Sequence, residues 1–286
     1  MARLEVYTDP RRFWDEVSPA LAQEEARHCL PRGLAGFFRK DPKNCVYQSA
    51  LFEGAQVVGA LICSRYDANL NFLPALVRSA AHARLLLDAA LDARVEMNGL
   101  IADKEWGNVF LDLFHEREFK SRLIMAQGIY RCDRVSMPAS RPELGFRIAE
   151  EADVPVVSRW TGEFHDEAVP EDPVQDWEAL ARDKIRKGVI FLLERNGRPV
   201  SMAAWSRDIG TSCAVNLVYT PKDSRRRGYA SLVTAKLTEH LLKSGKRETN
   251  LFTDLKNPTS NKIYQEIGYE WVCESIYYRI EPVIKR

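Results

Sequence analysis

Val215-Asn216-Leu217-Val218-Tyr219-Thr220-Pro221, running into Lys222-Asp223-Ser224-Arg225-Arg226-Arg227-Gly228-Tyr229-Ala230, reads as an apolar strand, a basic loop and the first turn of a helix. Beyond the loop, Ala230, Val233, Leu237 and Leu241 recur at three- and four-residue steps, so 229–243 is expected to be a helix with one buried face. Gly228 would let the backbone come close to a bulky group at that first turn. A helix start leaves backbone N–H groups unpaired, and with arginines beside them such a place suits a diphosphate. A basic triplet taken alone also reads as a solvated turn or a nucleic-acid contact. The chain carries 41 Lys and Arg against 40 Asp and Glu, a formal charge of +1, so no global field draws it to nucleic acid or an anionic membrane. No aromatics interleave a basic face, which further disfavours the nucleic-acid reading.

A second stretch lies downstream, after a predicted strand at 249–253: Asn257-Pro258-Thr259-Ser260-Asn261-Lys262-Ile263-Tyr264-Gln265-Glu266-Ile267-Gly268-Tyr269. The R-x-x-G-x-A loop and this N-x-x-(A/S)-x-x-(L/I)-Y-x-x-x-G-(F/Y) segment, in this order, resemble the acyl-CoA signature of the GNAT superfamily of N-acetyltransferases. The resemblance spans about 146–281 and opens with Phe146-Arg147-Ile148-Ala149-Glu150-Glu151. It implies acetyl-CoA as acyl donor, no metal, and a strand that splays from its neighbour so that Val218 and Thr220, with Tyr219 between them, offer backbone groups to the pantetheine arm. It implies further that Arg225, Arg226, Arg227, Gly228, Tyr229 and Ala230 wrap the pyrophosphate, mainly through N–H groups. Asn257 would lie near the pantetheine and Tyr264 by the thioester sulfur.

The implied reaction is direct attack of a small-molecule primary amine on the thioester. An amine with a pKa of about 10.4 is almost wholly protonated at neutral pH, which costs roughly 4 to 5 kcal/mol of nucleophile availability, so a proton acceptor or a water chain is needed. Tyr264 would donate to the departing sulfur, and strand N–H groups would stabilise the oxyanion. Several relatives carry a glutamate on the strand before the loop, but 211–216 contains no carboxylate. Glu163 is the base candidate, with His165 and Asp166 beside it, in a segment expected to lie between the first two helices of this half. That segment, 161–178, holds seven acids and no Lys or Arg, a field that favours a cationic amine. It reads equally as a solvated loop leading into a helix capped by Asp172, with Phe164 and Trp177 lining a cleft or packing.

At 286 residues two domains are expected. A Pro-, Ser- and Arg-rich seam at 133–146 places them at 1–140 and 146–286. The halves follow one plan. Strands at 46–52 and 57–63 join through Glu53-Gly54-Ala55, and strands at 189–193 and 200–205 through Asn196-Gly197. Helices (79–94; 229–243), strands (99–102; 249–253) and helices (106–116; 260–267) follow in the same order. The halves close on Gly128-Ile129-Tyr130-Arg131 and Ser275-Ile276-Tyr277-Tyr278-Arg279. The expected fold class is α/β (α+β), two acetyltransferase-like domains, each a mixed, mostly antiparallel central sheet flanked by helices. In the first copy 70–78 replaces the basic loop without a glycine, and 105–115 has no tyrosine, so this copy reads as degenerate.

Six scattered cysteines without C-x-x-C and five isolated histidines suggest reduced thiols and no metal centre. The charged start is unlike a secretory signal, and apolar runs such as 189–193 fall far short of the roughly 20 residues that span a bilayer. A cytoplasmic monomer or homodimer is expected, acting as an acetyl-CoA-dependent N-acetyltransferase on a small, cationic amine, with no nucleic-acid or membrane partner. The alternative is a non-catalytic acyl-CoA-binding or sensing module.

Overall fold

The computed structural model describes residues 2–66, 69–139, 141–168 and 175–283; Asp172, the expected helix cap, lies outside them. The chain divides into two units, Met1–Ile129 with Val272–Arg286, and Tyr130–Trp271.

The first unit contains β1 (Arg3–Val6), α1 (Pro10–Leu21), α2 (Cys29–Phe38), β2 (Cys45–Glu53), β3 (Gln56–Tyr66), β4 (Asn69–Ala75), α3 (Ala80–Asp92), β5 (Gly99–Asp103), α4 (Lys104–Glu116) and most of β6 (Phe119–Cys132). On one sheet face Phe13, Val17 and Leu21 of α1 and Ala35 and Phe38 of α2 pack on Ala50, Ile62 and Leu73. On the other, Leu86 and Leu87 of α3 and Phe110 and Phe114 of α4 pack on Leu51, Leu61 and Phe72. Alternation along the strands thus feeds two cores, as a sheet covered on both faces requires. The stretch 70–78, expected to replace a loop, is largely strand: Asn69–Ala75 pairs with β3 along its whole length. Pro74 disguises it. Pairing with β5 covers only Asn71 and Phe72, so Pro74 lies past that ladder, on an edge that tolerates proline.

The second unit contains β7 (Leu144–Ile148), α5 (Val154–Ala168), α6 (Trp177–Arg186), β8 (Ile190–Arg195), β9 (Arg198–Ser206), β10 (Ser212–Tyr219), α7 (Tyr229–Lys243), β11 (Glu248–Asp254) and α8 (Pro258–Glu266), and leads into β12 (Glu270–Pro282). Its strands run in the order β11-β10-β9-β8-β7. Helices α5 and α6 cover one face and α7 the other. The succession of elements, one strand, two helices, three strands, then helix, strand, helix, strand, is that of the first unit, as a duplication demands.

The division differs from a cut at 140/146 because β12 pairs antiparallel with β5, Ser275 facing Asp103 through to Arg279 facing Gly99. The last strand therefore completes the first unit's sheet, between β5 and β6. Among the described residues no helix is long and apolar enough to cross a membrane, and no group of three or more His, Cys, Asp or Glu is placed to hold a metal.

Candidate functional site

β10 and β11 pair in parallel only at Ser212↔Glu248, Cys213↔Thr249 and Ala214↔Asn250, although the strands continue to Tyr219 and Asp254. Past Ala214 the backbone edge of β10 that faced β11 is left without that ladder. Against β9 the register jumps from Asn216↔Ala204 to Tyr219↔Met202, so Leu217 and Val218 together oppose Ala203. Leu217 takes φ +50°, a left-handed conformation that costs a non-glycine residue about 1–2 kcal/mol. The extra residue reverses the strand's facing: Cys213 and Val215 bury toward α7, whereas Leu217 and Tyr219 bury toward α5 and α6. The bulge thereby aims Tyr219 at the face where α5 lies. The Tyr219 carbonyl accepts from Ser201 Oγ at 2.9 Å, and the Thr220 carbonyl from Arg225 Nε at 2.8 Å.

After one 3-10 turn at Lys222–Ser224, Arg226 (φ +59°) and Gly228 (φ +73°) both take left-handed backbone. Gly228 is the N-cap of α7, no side chain caps the helix, and the first helical bond runs from Leu232 N–H to the Gly228 carbonyl at 3.1 Å. The amides of Tyr229, Ala230 and Ser231 precede that bond and, among the described residues, have no backbone or capping side-chain partner, with Arg226 and Arg227 exposed beside them. A Cβ on Gly228 would meet no atom within 4 Å, so within the chain glycine serves the backbone angle rather than a close approach. The corresponding helix of the first unit is closed by its own side chain: Ser79 Oγ accepts from His82 N–H at 3.1 Å. Of the arginine triplet, Arg225 is engaged elsewhere. Its Nη2 meets both Glu167 oxygens at 2.9 and 2.8 Å, and its guanidinium lies 5.6 Å from the Tyr219 ring centre. Arg225 ties the loop to α5.

A cleft of about 480 Å³ opens beside α5 and the end of β10, lined among others by Arg159, Trp160, Glu163, Asp166, Tyr219 and Asp223. Glu163, His165 and Asp166, expected between helices, belong to α5 itself, which continues to Ala168. The spacing explains it: Glu163, Asp166 and Glu167, three and four apart, share one helix face. His165 turns the other way, 6% exposed, its ring 4.7 Å from that of Trp177. Gly162 leaves room for the same indole, whose nearest atom would stand 3.1 Å from an added Cβ. Trp177 and Phe164 therefore pack. The Tyr219 hydroxyl donates to Glu163 Oε2 at 2.9 Å. Desolvation first, then that bond and the charges of Glu163 and Glu167, push the tyrosine's pKa up to about 12 against the pull of Arg225. With Glu167 paired to Arg225, the lining keeps Glu163, Asp166 and Asp223 against Arg159 and Lys222, a net charge of −1 (two positive, three negative).

Asn257 caps α8, its side chain accepting from Ser260 N–H at 3.1 Å. Tyr264, on the same helix, packs with Ala235, Leu251, Ile267 and Tyr269, and burial raises its pKa to about 12, so its hydroxyl stays protonated at neutral pH.

The fold is that of the GNAT acetyltransferases. A Drosophila protein is similar over 98% of both chains (13% identity, TM-score 0.68). So are a tandem GNAT protein from the clavulanic acid biosynthesis pathway over 100% of both (16%, 0.64) and a GCN5-related N-acetyltransferase from Sphaerobacter thermophilus over 100% of this chain and 98% of that one (13%, 0.63). At these identities the likeness is one of fold. Within it, residues 193–278 match the family model described as FR47-like protein, a span that takes in the bulged strand, the basic loop and α8. No curated protein matches the chain in sequence.

Proposed function

We propose that this chain is an acetyl-CoA-dependent N-acetyltransferase acting on a small primary amine. The observation that carries the reading is the open first turn of α7 beside a β10 edge without a ladder partner: amides for a diphosphate next to backbone groups for an amide-bearing arm. The GNAT fold supports acyl transfer in general. A bound acyl-CoA would supply an activated thioester. The residues of 226–231 would hold its diphosphate through N–H groups, Val218 and Thr220 would orient the pantetheine, and α8 would flank it with Asn257 at its start.

Glu163, positioned by the Tyr219 hydroxyl, is the group in the cleft suited to take the acceptor's proton, and the surplus of acids there favours a cationic amine. Tyr264, protonated across the neutral range, suits hydrogen-bond donation to a leaving thiolate. No disulfide joins any two of the six cysteines, in keeping with a reducing compartment such as the cytoplasm.

The test is release of CoA from acetyl-CoA with a panel of amines, corrected for hydrolysis, with product mass identifying the acyl group. Amine-dependent release supports the proposal. A second reading, an acyl-CoA-binding or sensing module, draws on the absence of a carboxylate from 211–216. Tight binding with no acceptor-dependent release over a wide panel would establish that reading instead.

A further inference from the structure

Arg225 opens the basic triplet, yet its guanidinium is committed to the strand end and to α5. Nε donates to the Thr220 carbonyl at 2.8 Å, and Nη2 donates to both carboxylate oxygens of Glu167 at 2.9 and 2.8 Å. The group also lies 5.6 Å from the centre of the Tyr219 ring. These contacts converge on one carboxylate. The Tyr219 hydroxyl donates to Glu163 Oε2 at 2.9 Å, and Glu163 stands one helical turn before Glu167 on the same face of α5. The strand end is pinned from β9 as well: the buried Ser201 Oγ donates to the Tyr219 carbonyl at 2.9 Å and lies 2.8 Å from Thr220 Oγ1. The other cations on the cleft are held more loosely. Arg159 approaches Glu163 only to 4.0 Å, and Lys222, its side chain 80% exposed, approaches Glu167 to 3.8 Å. Asp166 and Asp223 add two further carboxylates to the lining.

We infer that Arg225 is a positioning residue of the acceptor cleft and not a side-chain ligand of the donor's diphosphate: by gripping Glu167 and the Tyr219–Thr220 strand end together, it holds Glu163 where an amine gives up its proton. The inference rests on the proposed acyl-transfer reading and deepens it, giving to the acceptor side a residue that the motif places on the donor side. Only a planar guanidinium does this work, because its fork meets two carboxylate oxygens while Nε takes a carbonyl, and an ammonium group has no such geometry. To turn to a diphosphate it would have to give up all three hydrogen bonds. Its charge has a second use. With Arg225 in place Glu167 is neutralised; without it the cleft would hold another free carboxylate one turn from Glu163, competing for a cationic amine away from the base. The pair itself is 38% and 37% exposed, and ion pairs so open to water add little to stability, so the clamp is read in turnover rather than in melting.

The test takes the full chain as wild type, Arg225→Gln, Arg225→Lys and Glu167→Gln through calorimetric titration with acetyl-CoA, thermal melts, and CoA release on a panel of aliphatic monoamines, diamines and amino sugars. With the panel amine that the wild type turns over fastest, Arg225→Gln should lower kcat about tenfold, leave KM for the amine no higher, and keep Kd for acetyl-CoA within about twofold. Arg225→Lys, which keeps the charge but not the two-oxygen grip, should recover little of that turnover. Adding Tyr219→Phe to Arg225→Gln should cost little more than either change alone, because both act through the same carboxylate. Glu167→Gln cuts the clamp from the helix, outside the loop, and should also lower kcat with acetyl-CoA affinity intact; it decides the matter if the arginine variants melt early. A loss of acetyl-CoA affinity of about tenfold or more in Arg225→Gln would put the guanidinium on the diphosphate and overturn the inference. Wild-type kcat in Arg225→Gln and Glu167→Gln, full rescue by lysine, or losses that multiply in the double variant would overturn it too. A wild type that binds acetyl-CoA but releases no CoA with any amine would overturn the catalytic reading, and this inference with it.

Discussion

Gly228 is the position where the demands of the backbone and those of a ligand come apart. The residue sits at φ +73° as the cap of α7, and a Cβ there meets no atom of the chain within 4 Å. Gly228→Ala therefore costs the left-handed conformation and little else, about 1–2 kcal/mol. The expected fall in melting temperature is roughly 2–8 °C. Gly228→Glu carries the same backbone cost and adds a carboxylate beside the open amides. Two like unit charges about 5 Å apart at an effective dielectric of about 20 repel by roughly 3 kcal/mol, on the order of a hundredfold in Kd, and a diphosphate carries more than one charge. The assay is calorimetric titration of the wild type and both variants with acetyl-CoA, each paired with a thermal melt. The two variants should melt alike, the alanine should keep affinity within about tenfold, and the glutamate should lose a hundredfold or more. A glutamate variant with the alanine's melt and the wild type's affinity would refute the assignment of this loop to a diphosphate.

Other expectations concern the cleft, the thiolate donor, the first unit and the acid limb of stability. Glu163→Gln should lower kcat/KM on the order of a hundredfold or more, and Tyr219→Phe, which keeps the carboxylate but removes its 2.9 Å hydrogen bond, about tenfold; an unchanged pH–rate profile in Glu163→Gln would acquit that carboxylate as the base. Tyr264→Phe should depress kcat while leaving KM for the acyl donor in place, and full turnover would dismiss the hydroxyl as a proton donor. Ser79→Ala should cost about 1 kcal/mol by uncapping α3 and leave acetyl-CoA affinity untouched, whereas weakened binding would move a ligand site into the first unit. Hydrogen bonds from Arg147 hold the Asp153 carboxyl below its usual range despite burial. That stabilisation is full above the ordinary value of about 3.9 and is lost as pH falls through the depressed folded one. Arg147→Met should cost about 1–3 kcal/mol at neutral pH, the gap to wild type closing in strong acid; chemical denaturation across that range checks it, and a constant gap rejects the pairing.

What was legible in the sequence was whatever is written locally. Helix α7 follows the three- and four-residue steps of its apolar residues, and the β8–β9 hairpin follows Asn196-Gly197, both at positive φ. The bulge was hidden, because in Val215-Asn216-Leu217-Val218 nothing marks which residue is surplus; only pairing with β9 makes Leu217 turn over. Proline hid β4, and a run of acids hid the last turns of α5, where their spacing matters more than their charge. The partnership of Tyr219 with Glu163 spans 56 residues and depends on that bulge. The home of β12 is also long-range, since Tyr277 opposite Ile101 leaves no trace in either segment alone. Motif reading singled out the loop but not the division of labour inside it, with Arg225 clamping α5 while Arg226 and Arg227 stay at the surface.

The most direct measurement is a crystal structure of the chain with coenzyme A bound. The account predicts diphosphate oxygens about 2.7–3.2 Å from the N–H groups of Tyr229, Ala230 and Ser231, with the pantetheine lying along the β10 edge past Ala214. Those amides bonded within the protein, with the ligand elsewhere, would contradict it.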